Sequence, residues 1–113
     1  MLSKNNRLNK ELFDELLKKG VVLHSPLFSF RFKDEGTDAF RVAFVVSKKV
    51  SPFAVDRNRL KRRGYSAVRA VLKKLSLKKT INGAFFYKKE ALNASYKEIE
   101  SEVSSLLVRS KAL

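Results

Sequence analysis

Basic side chains recur at helical spacing in the middle of the chain. Five polar residues, four of them basic, follow one another at intervals of three and four, a set that we call the cationic stripe: Arg59, Arg62, Ser66, Arg69 and Lys73. This spacing places them on one side of a helix predicted over residues 57–75. Like charges at such intervals repel, and no Asp or Glu lies between Arg57 and Lys79. Because guanidinium forks match phosphate geometry, the pattern predicts binding of a polyanion.

The opposite side of the same helix is apolar. Its residues are Leu60, Gly64, Ala67, Val68, Val71 and Leu75. Gly64 costs a helix about 1 kcal/mol relative to Ala, so we expect its backbone to approach the sheet closely. Asp56 is of a type that caps helices, and we predict that it is the N-cap.

The charge of the whole chain supports the same ligand class. The 113 residues carry 25 Lys and Arg against 11 Asp and Glu, a net charge of +14. Residues 41–79 hold 13 basic side chains and one acidic one, whereas the flanking segments are nearly balanced. Surfaces that serve only solubility mix both signs. RNA or DNA is therefore expected as the partner, before any membrane surface or small-molecule substrate.

Residues for catalysis are scarce. The chain has no Cys, which excludes thiol catalysis, thiolate zinc sites and iron–sulfur clusters. His24 is the only histidine and lies in an expected turn, and the carboxylates are scattered among lysines. We therefore expect no catalytic residue, no metal and no cofactor on this chain. No apolar run is long enough to span a membrane and the start shows no signal peptide, so we expect a cytoplasmic protein.

The elements that must position the stripe follow from periodicity. Leucines every four residues predict a helix over 5–19, and alternation predicts a strand over 27–33. A turn at 34–38 precedes a strand over 40–47, and a third strand follows over 81–87. Ser95 and Glu98 form a capping box for a last helix. The order α-β-β-α-β-α indicates a single α+β domain over residues 1–113.

The segment from Arg41 to Arg62 carries a composite motif. A strand ends in Ser47-Lys48-Lys49, a short loop ends in Ala54-Val55, and Arg57-Asn58-Arg59-Leu60-Lys61-Arg62 opens the helix. With Asn6-Arg7-Leu8, Phe13 and Lys19-Gly20, this chain resembles the bacterial ribonuclease P protein component over about residues 5 to 107.

The resemblance implies a fold and a function. The fold would be a ribosomal-protein-like two-layer α/β sandwich with a left-handed β-α-β crossover around the basic helix. The protein would be a subunit of a ribonucleoprotein endonuclease that removes the 5′ leader of precursor tRNA. The catalytic RNA would perform the hydrolysis, with Mg²⁺ at the RNA active site.

The resemblance and the stripe together assign two sets of site residues. Those expected to face the catalytic RNA are Arg57, Asn58, Arg59, Lys61, Arg62 and Arg63, with Ser47, Lys48, Lys49, Arg69 and Lys73. Those expected in a cleft for the leader are Phe13, Leu17, Arg31, Phe28, Phe30 and Arg7. Only one face of the strand can line that cleft. The alternative is that the Phe row belongs to the core, and Arg31 is the better candidate for the cleft. Leu17 stands where the family frequently has an aromatic residue.

Three other functions would use some of the same features. A ribosomal or other structured-RNA-binding protein without a processing role would show similar charge and fold, and only the composite motif separates the two. A DNA-binding factor ranks third, because no pair of helices joined by a short turn is evident. A self-sufficient nuclease lacks the necessary base or metal ligands.

Overall fold

The computed structural model describes residues 7–34 and 39–112. In chain order its elements are α1 (Lys10–Lys19), β1 (Val21–His24), β2 (Phe28–Lys33), β3 (Arg41–Val45), α2 (Ala54–Lys74), β4 (Asn82–Tyr87), a 3-10 helix (Lys89–Asn93) and α3 (Tyr96–Arg109). This arrangement confirms the expected α+β class. Among the described residues, no helix is both long and apolar enough to cross a membrane.

The strands form one mixed sheet in the order β1-β2-β4-β3. β2 pairs antiparallel with β1 and β4, whereas β3 pairs parallel with β4. Parallel neighbouring strands need a crossover connection. The chain from the end of β3 to the start of β4, which contains α2, therefore has to run back along one face of the sheet. The basic helix is thus the connection of a β-α-β unit.

Strand β1 was absent from the sequence prediction. Its four residues show no alternation, and His24 was expected in a turn. The structure pairs Val21 with Phe32 and His24 with Ser29, so β1 forms an antiparallel hairpin with β2. A four-residue strand is stabilised by its partner rather than by its own pattern.

Two helix starts also differ from the prediction. α1 begins at Lys10, because the side chain of Asn9 accepts a hydrogen bond from the Leu12 N–H (2.9 Å) and caps the helix there. The prediction of Asp56 as the N-cap of α2 was wrong. The Phe53 carbonyl already accepts from the Arg57 N–H (3.2 Å), so Phe53 is the N-cap and Asp56 lies in the first turn.

The last helix begins where the sequence predicts. The capping box of Ser95 and Glu98 is confirmed at the start of α3. Residues 5 and 6 of the expected first helix, and 35–38 of the expected turn, lie outside the described residues.

The core fills the space between the sheet and the pair α2 and α3. Phe28, Phe30 and Phe85 are fully buried there, and Phe85 stacks on Phe44 with ring centroids 4.7 Å apart. The apolar side of α2 is buried as predicted, except for Leu75, which follows the helix and is 42% exposed. Helix α1 lies on the opposite face of the sheet, so the two faces have different neighbours.

Gly64 brings α2 into contact with the sheet. A Cβ atom at this position would lie 2.6 Å from Cε1 and 2.8 Å from Cγ of Phe44. The Phe44 ring is itself held between Tyr65 (centroids 5.1 Å apart) and Phe85. The expected close approach is confirmed, and the contact is with an aromatic ring.

We expect Gly64→Ala to destabilise the protein, because the ring of Phe44 has no room to move. Overpacking costs about 1–3 kcal/mol, which exceeds the gain in helix propensity of up to about 1 kcal/mol. Urea unfolding followed by circular dichroism measures the difference. Ser66→Ala, at an exposed position of the same helix, is the control and should leave stability equal or slightly higher. A Gly64→Ala variant as stable as the parent would contradict the packing argument.

Candidate nucleic-acid interface

The cationic stripe lies on the solvent side of α2. Arg59, Arg62, Arg69 and Lys73 are all exposed, as is Lys61 beside them. Among the described residues, the only ion pair that a stripe residue forms is Arg59 with Asp56, at 3.4 Å. The helix therefore presents a row of cations to solvent, and Asp56 neutralises only the charge of Arg59.

The first turn of α2 is braced by a small hydrogen-bond network. The buried Ser51 hydroxyl donates to the Asp56 carboxylate (2.9 Å), and the Arg57 guanidinium donates to the Ser51 carbonyl (3.0 Å). Asp56 thus binds Ser51 and Arg59 instead of capping the helix. Arg57 is half-buried by its contact with the loop, whereas Asn58 is exposed. The network holds the Arg57-Asn58-Arg59 segment in one conformation.

A buried hydrogen bond joins the same segment to the sheet. The Tyr87 hydroxyl donates to the Leu60 carbonyl at 2.7 Å. Burial raises the pKa of Tyr87, partly opposed by the charge of Arg63. The Arg63 guanidinium reaches the Ala94 carbonyl at 3.4 Å and is half-buried, so it supports the stripe from its edge rather than lying fully open.

A basic loop continues the positive surface. Ser47, Lys48 and Lys49 are exposed and are separated from the end of β3 by one residue, Val46. A turn closed by the Val50 N–H donating to the Ser47 carbonyl (3.1 Å) turns the chain toward α2. These three residues therefore lie between the end of β3 and the start of α2, as expected.

A groove of about 320 Å³ opens between the end of α1 and the sheet. We call it the α1 groove, and its lining residues are Leu17, Val22, His24, Ser29, Arg31 and Phe86. One cross-strand row forms much of its floor, since His24 pairs with Ser29, Ser29 with Phe86, and Phe86 with Val45. Four strands at about 4.8 Å spacing make this row about 14 Å long.

Helix α1 is fixed over the groove by polar contacts to β2. Arg31 donates to the Leu17 carbonyl at 3.2 Å, and Lys33 forms an ion pair with Glu15. The hydrogen bond and charge of Lys33 lower the pKa of Glu15. The ring of Phe13 packs on Phe86 with centroids 5.9 Å apart. Arg31 and Leu17 therefore line the groove, and Phe13 borders it through Phe86.

Three of the residues expected in the cleft lie elsewhere. Phe28 and Phe30 are fully buried on the other face of the sheet, so the prediction that they line the cleft was wrong and the core alternative is correct. Strand alternation, which puts Arg31 on the groove face, puts both rings in the core. Arg7 is bridged to Val42 of β3, and it does not line the groove.

Four groove residues were missed by the sequence reasoning. Val22 and His24 belong to β1, which was not recognised as a strand. Ser29 was placed only as the polar side of β2. Phe86 had a usable signal, because alternation between Phe85 and Tyr87 predicts that its ring points to the opposite face. Within the described ranges, no three His, Cys, Asp or Glu side chains cluster to hold a metal ion.

Comparison with known proteins identifies the family of the chain. A family model described as Ribonuclease P matches residues 2–111. The chain belongs to the bacterial ribonuclease P protein family. It is 35% identical over 103 residues to the ribonuclease P protein component of a Nitratiruptor species, covering 90% of this chain and 88% of that protein. It is 32% identical to the Pseudanabaena protein of the same name, covering 100% and 97%.

Solved structures of the family share the fold. The ribonuclease P protein of Staphylococcus aureus superposes with a TM-score of 0.75 at 26% identity, covering 100% of this chain and 95% of that one. The protein from Thermotoga maritima gives 0.72 at 24% identity, covering 91% and 96%, and shows likeness of fold. As a family member, the chain is the protein subunit of an endoribonuclease in which RNA performs the hydrolysis. This favours the processing function over the alternative of a general structured-RNA-binding protein.

Proposed function

We propose that the cationic stripe and the basic loop bind the catalytic RNA of ribonuclease P, and that the α1 groove holds the 5′ leader of precursor tRNA. The observation that carries the first part is the row of exposed cations on α2, held in place by Ser51, Asp56 and Tyr87. Phosphates along such a row would neutralise the repulsion between neighbouring side chains and release counterions.

The groove has the chemistry that a single-stranded leader requires. Phe86 supplies an aromatic face, Arg31 a charge for phosphate, and His24 and Ser29 polar groups for base edges. Leu17 closes the groove on the helix side with an apolar contact.

Hydrolysis is assigned to the RNA. We propose that Mg²⁺ acts at the RNA active site and that the chain contributes charge and positioning only. Positive charge next to the RNA lowers the magnesium concentration that folding and substrate binding require.

Rescue of cleavage at low magnesium tests this function. Precursor tRNA is incubated with the catalytic RNA from the same source, at a magnesium concentration where the RNA alone is slow. We expect the protein to restore cleavage at the mature 5′ end and to be inert without the RNA. Tight RNA binding without rescue would instead support a general RNA-binding role. Cleavage by the pure protein alone would overturn the assignment of the chemistry.

Arg62→Ala should weaken assembly with the catalytic RNA in a salt-dependent way. Arg62 is exposed, so its replacement should spare the fold, whereas Arg57 also supports the loop. The slope of log affinity against log salt should fall by about 0.9 for each lost phosphate contact. Arg62→Lys should keep most of the slope, and Lys97→Ala, an exposed position on α3, should keep all of it. An unchanged slope for Arg62→Ala would exclude the stripe as a phosphate-binding surface.

Leu17→Ala should weaken binding of substrates that carry a leader and leave assembly with the catalytic RNA intact. Leu17 and Leu77 are both 45% exposed, so Leu77→Ala is a matched control outside the groove. The measurement compares the affinity of the assembled complex for precursor tRNA and for mature tRNA. If Leu17→Ala reduces both affinities equally, the groove does not hold the leader.

A further inference from the structure

An exposed apolar segment stands at the start of the basic helix. Pro52, Phe53, Ala54 and Val55 are consecutive and all exposed, and we call them the apolar tip. Phe53 is 67% exposed and Val55 75%, more than any other large apolar side chain among the described residues. Single exposed apolar residues are ordinary, but a run of four without a function is not.

The fold depends little on the two large side chains of the tip, because Phe53 and Val55 are mostly exposed. Phe53 occupies the N-cap position of α2, where its side chain has no polar group to cap the helix. The Phe53 backbone forms the hydrogen bonds at this position. Its N–H donates to the Ser51 hydroxyl (3.2 Å), and its carbonyl accepts from the Arg57 N–H (3.2 Å). The ring is therefore presented to solvent on a backbone that is held at both ends.

This rigidity matters for binding. The tip follows Ser51, which is 1% exposed, and the braces from Ser51 to Asp56 and from Arg57 to Ser51 close the loop around it. An aromatic side chain on an ordered backbone loses little conformational entropy when it binds. The apolar tip is therefore preorganised for binding.

The charges around the tip indicate what it contacts. Lys48 and Lys49 precede it, Arg57 and Arg59 follow it, and Asp56 is the one acidic neighbour, already bound to Ser51 and Arg59. A protein partner for such a patch would have to be acidic and apolar at once. An unpaired nucleotide offers both features together, a phosphate for the cations and a flat base for the ring.

We propose that the apolar tip stacks on an unpaired base of the catalytic RNA through the ring of Phe53. This inference rests on the proposed function, because it assumes that α2 faces that RNA. It adds a contact of a different kind, since stacking gives affinity without releasing counterions. Its contribution should therefore not change with salt.

Phe53→Ala tests the contact in the assembled system. The affinity of the full chain for the catalytic RNA, measured without precursor tRNA, should fall about tenfold, with the salt slope unchanged. Phe53→Leu, which keeps an apolar side chain but no flat ring, should lose most of the same affinity. Val108→Ala, 48% exposed on α3, is the control and should bind like the parent. Urea unfolding of Phe53→Ala should match the parent, because the ring is largely exposed.

Phe53→Trp provides a direct reporter. The chain contains no Trp, so this variant has one indole, and its emission should be quenched as the catalytic RNA is added. Access of acrylamide to the indole should fall in the complex. Affinity for the catalytic RNA should be retained in Phe53→Trp, in contrast to Phe53→Ala, since a larger ring stacks at least as well.

The outcomes separate this inference from the function on which it rests. If the parent chain neither binds the RNA nor rescues cleavage, the proposed function fails. If the parent rescues cleavage but Phe53→Ala binds equally well and the Trp stays accessible, only the stacking contact is refuted. A change in the sedimentation of the free protein on Phe53→Ala, with no change in RNA affinity, would show that the tip contacts a second copy and would overturn the proposal.

Discussion

Close packing between α2 and the sheet makes the charged surface possible. Each like-charged pair at helical spacing costs about 0.2–0.5 kcal/mol, whereas burying a side chain such as Leu60 or Val68 gains about 1.5–3 kcal/mol. The apolar side of α2 therefore outweighs the repulsion on its other side. Gly64 lets the helix approach Phe44, and the Tyr87 hydroxyl fixes its rotation at Leu60. The cations are thus arranged before any RNA binds.

The alternation of one strand explains both the core and the groove. In β2, Phe28 and Phe30 face α2 and α3, while Ser29 and Arg31 face α1. This alternation was readable from the sequence, as were the stripe, the capping box and the order of the larger elements. The sequence alone left open which side of the strand faces the groove. That choice depends on where α1 packs, and the contacts of Lys33 with Glu15 and of Arg31 with Leu17 decide it.

Elements that depend on distant partners were the ones that the sequence did not reveal. The β1–β2 hairpin is held by α3, since Glu102 accepts hydrogen bonds from the Ser25 hydroxyl (2.6 Å) and the Leu27 N–H (2.8 Å), and Arg109 donates to the His24 carbonyl (2.9 Å). No local pattern encodes a contact across some 75 residues. The prediction of Asp56 as an N-cap was wrong for a local reason, because α2 begins at Ala54 and the Asp56 carboxylate accepts from the Ser51 hydroxyl.

The register of the sheet gives the two surfaces a common end. The row from His24 through Ser29 and Phe86 ends at Val45, and Ser47 follows only two residues later. Val45 is the last residue of β3, so the basic loop leaves the sheet at the end where this row lies. An extended strand advances about 3.3 Å per residue, so two residues place the loop about 7 Å beyond the row. An RNA strand leaving the groove past Val45 would meet Lys48 and Lys49 before it reached α2. The β-α-β connection thus joins the proposed leader groove to the proposed RNA-binding surface within one sheet.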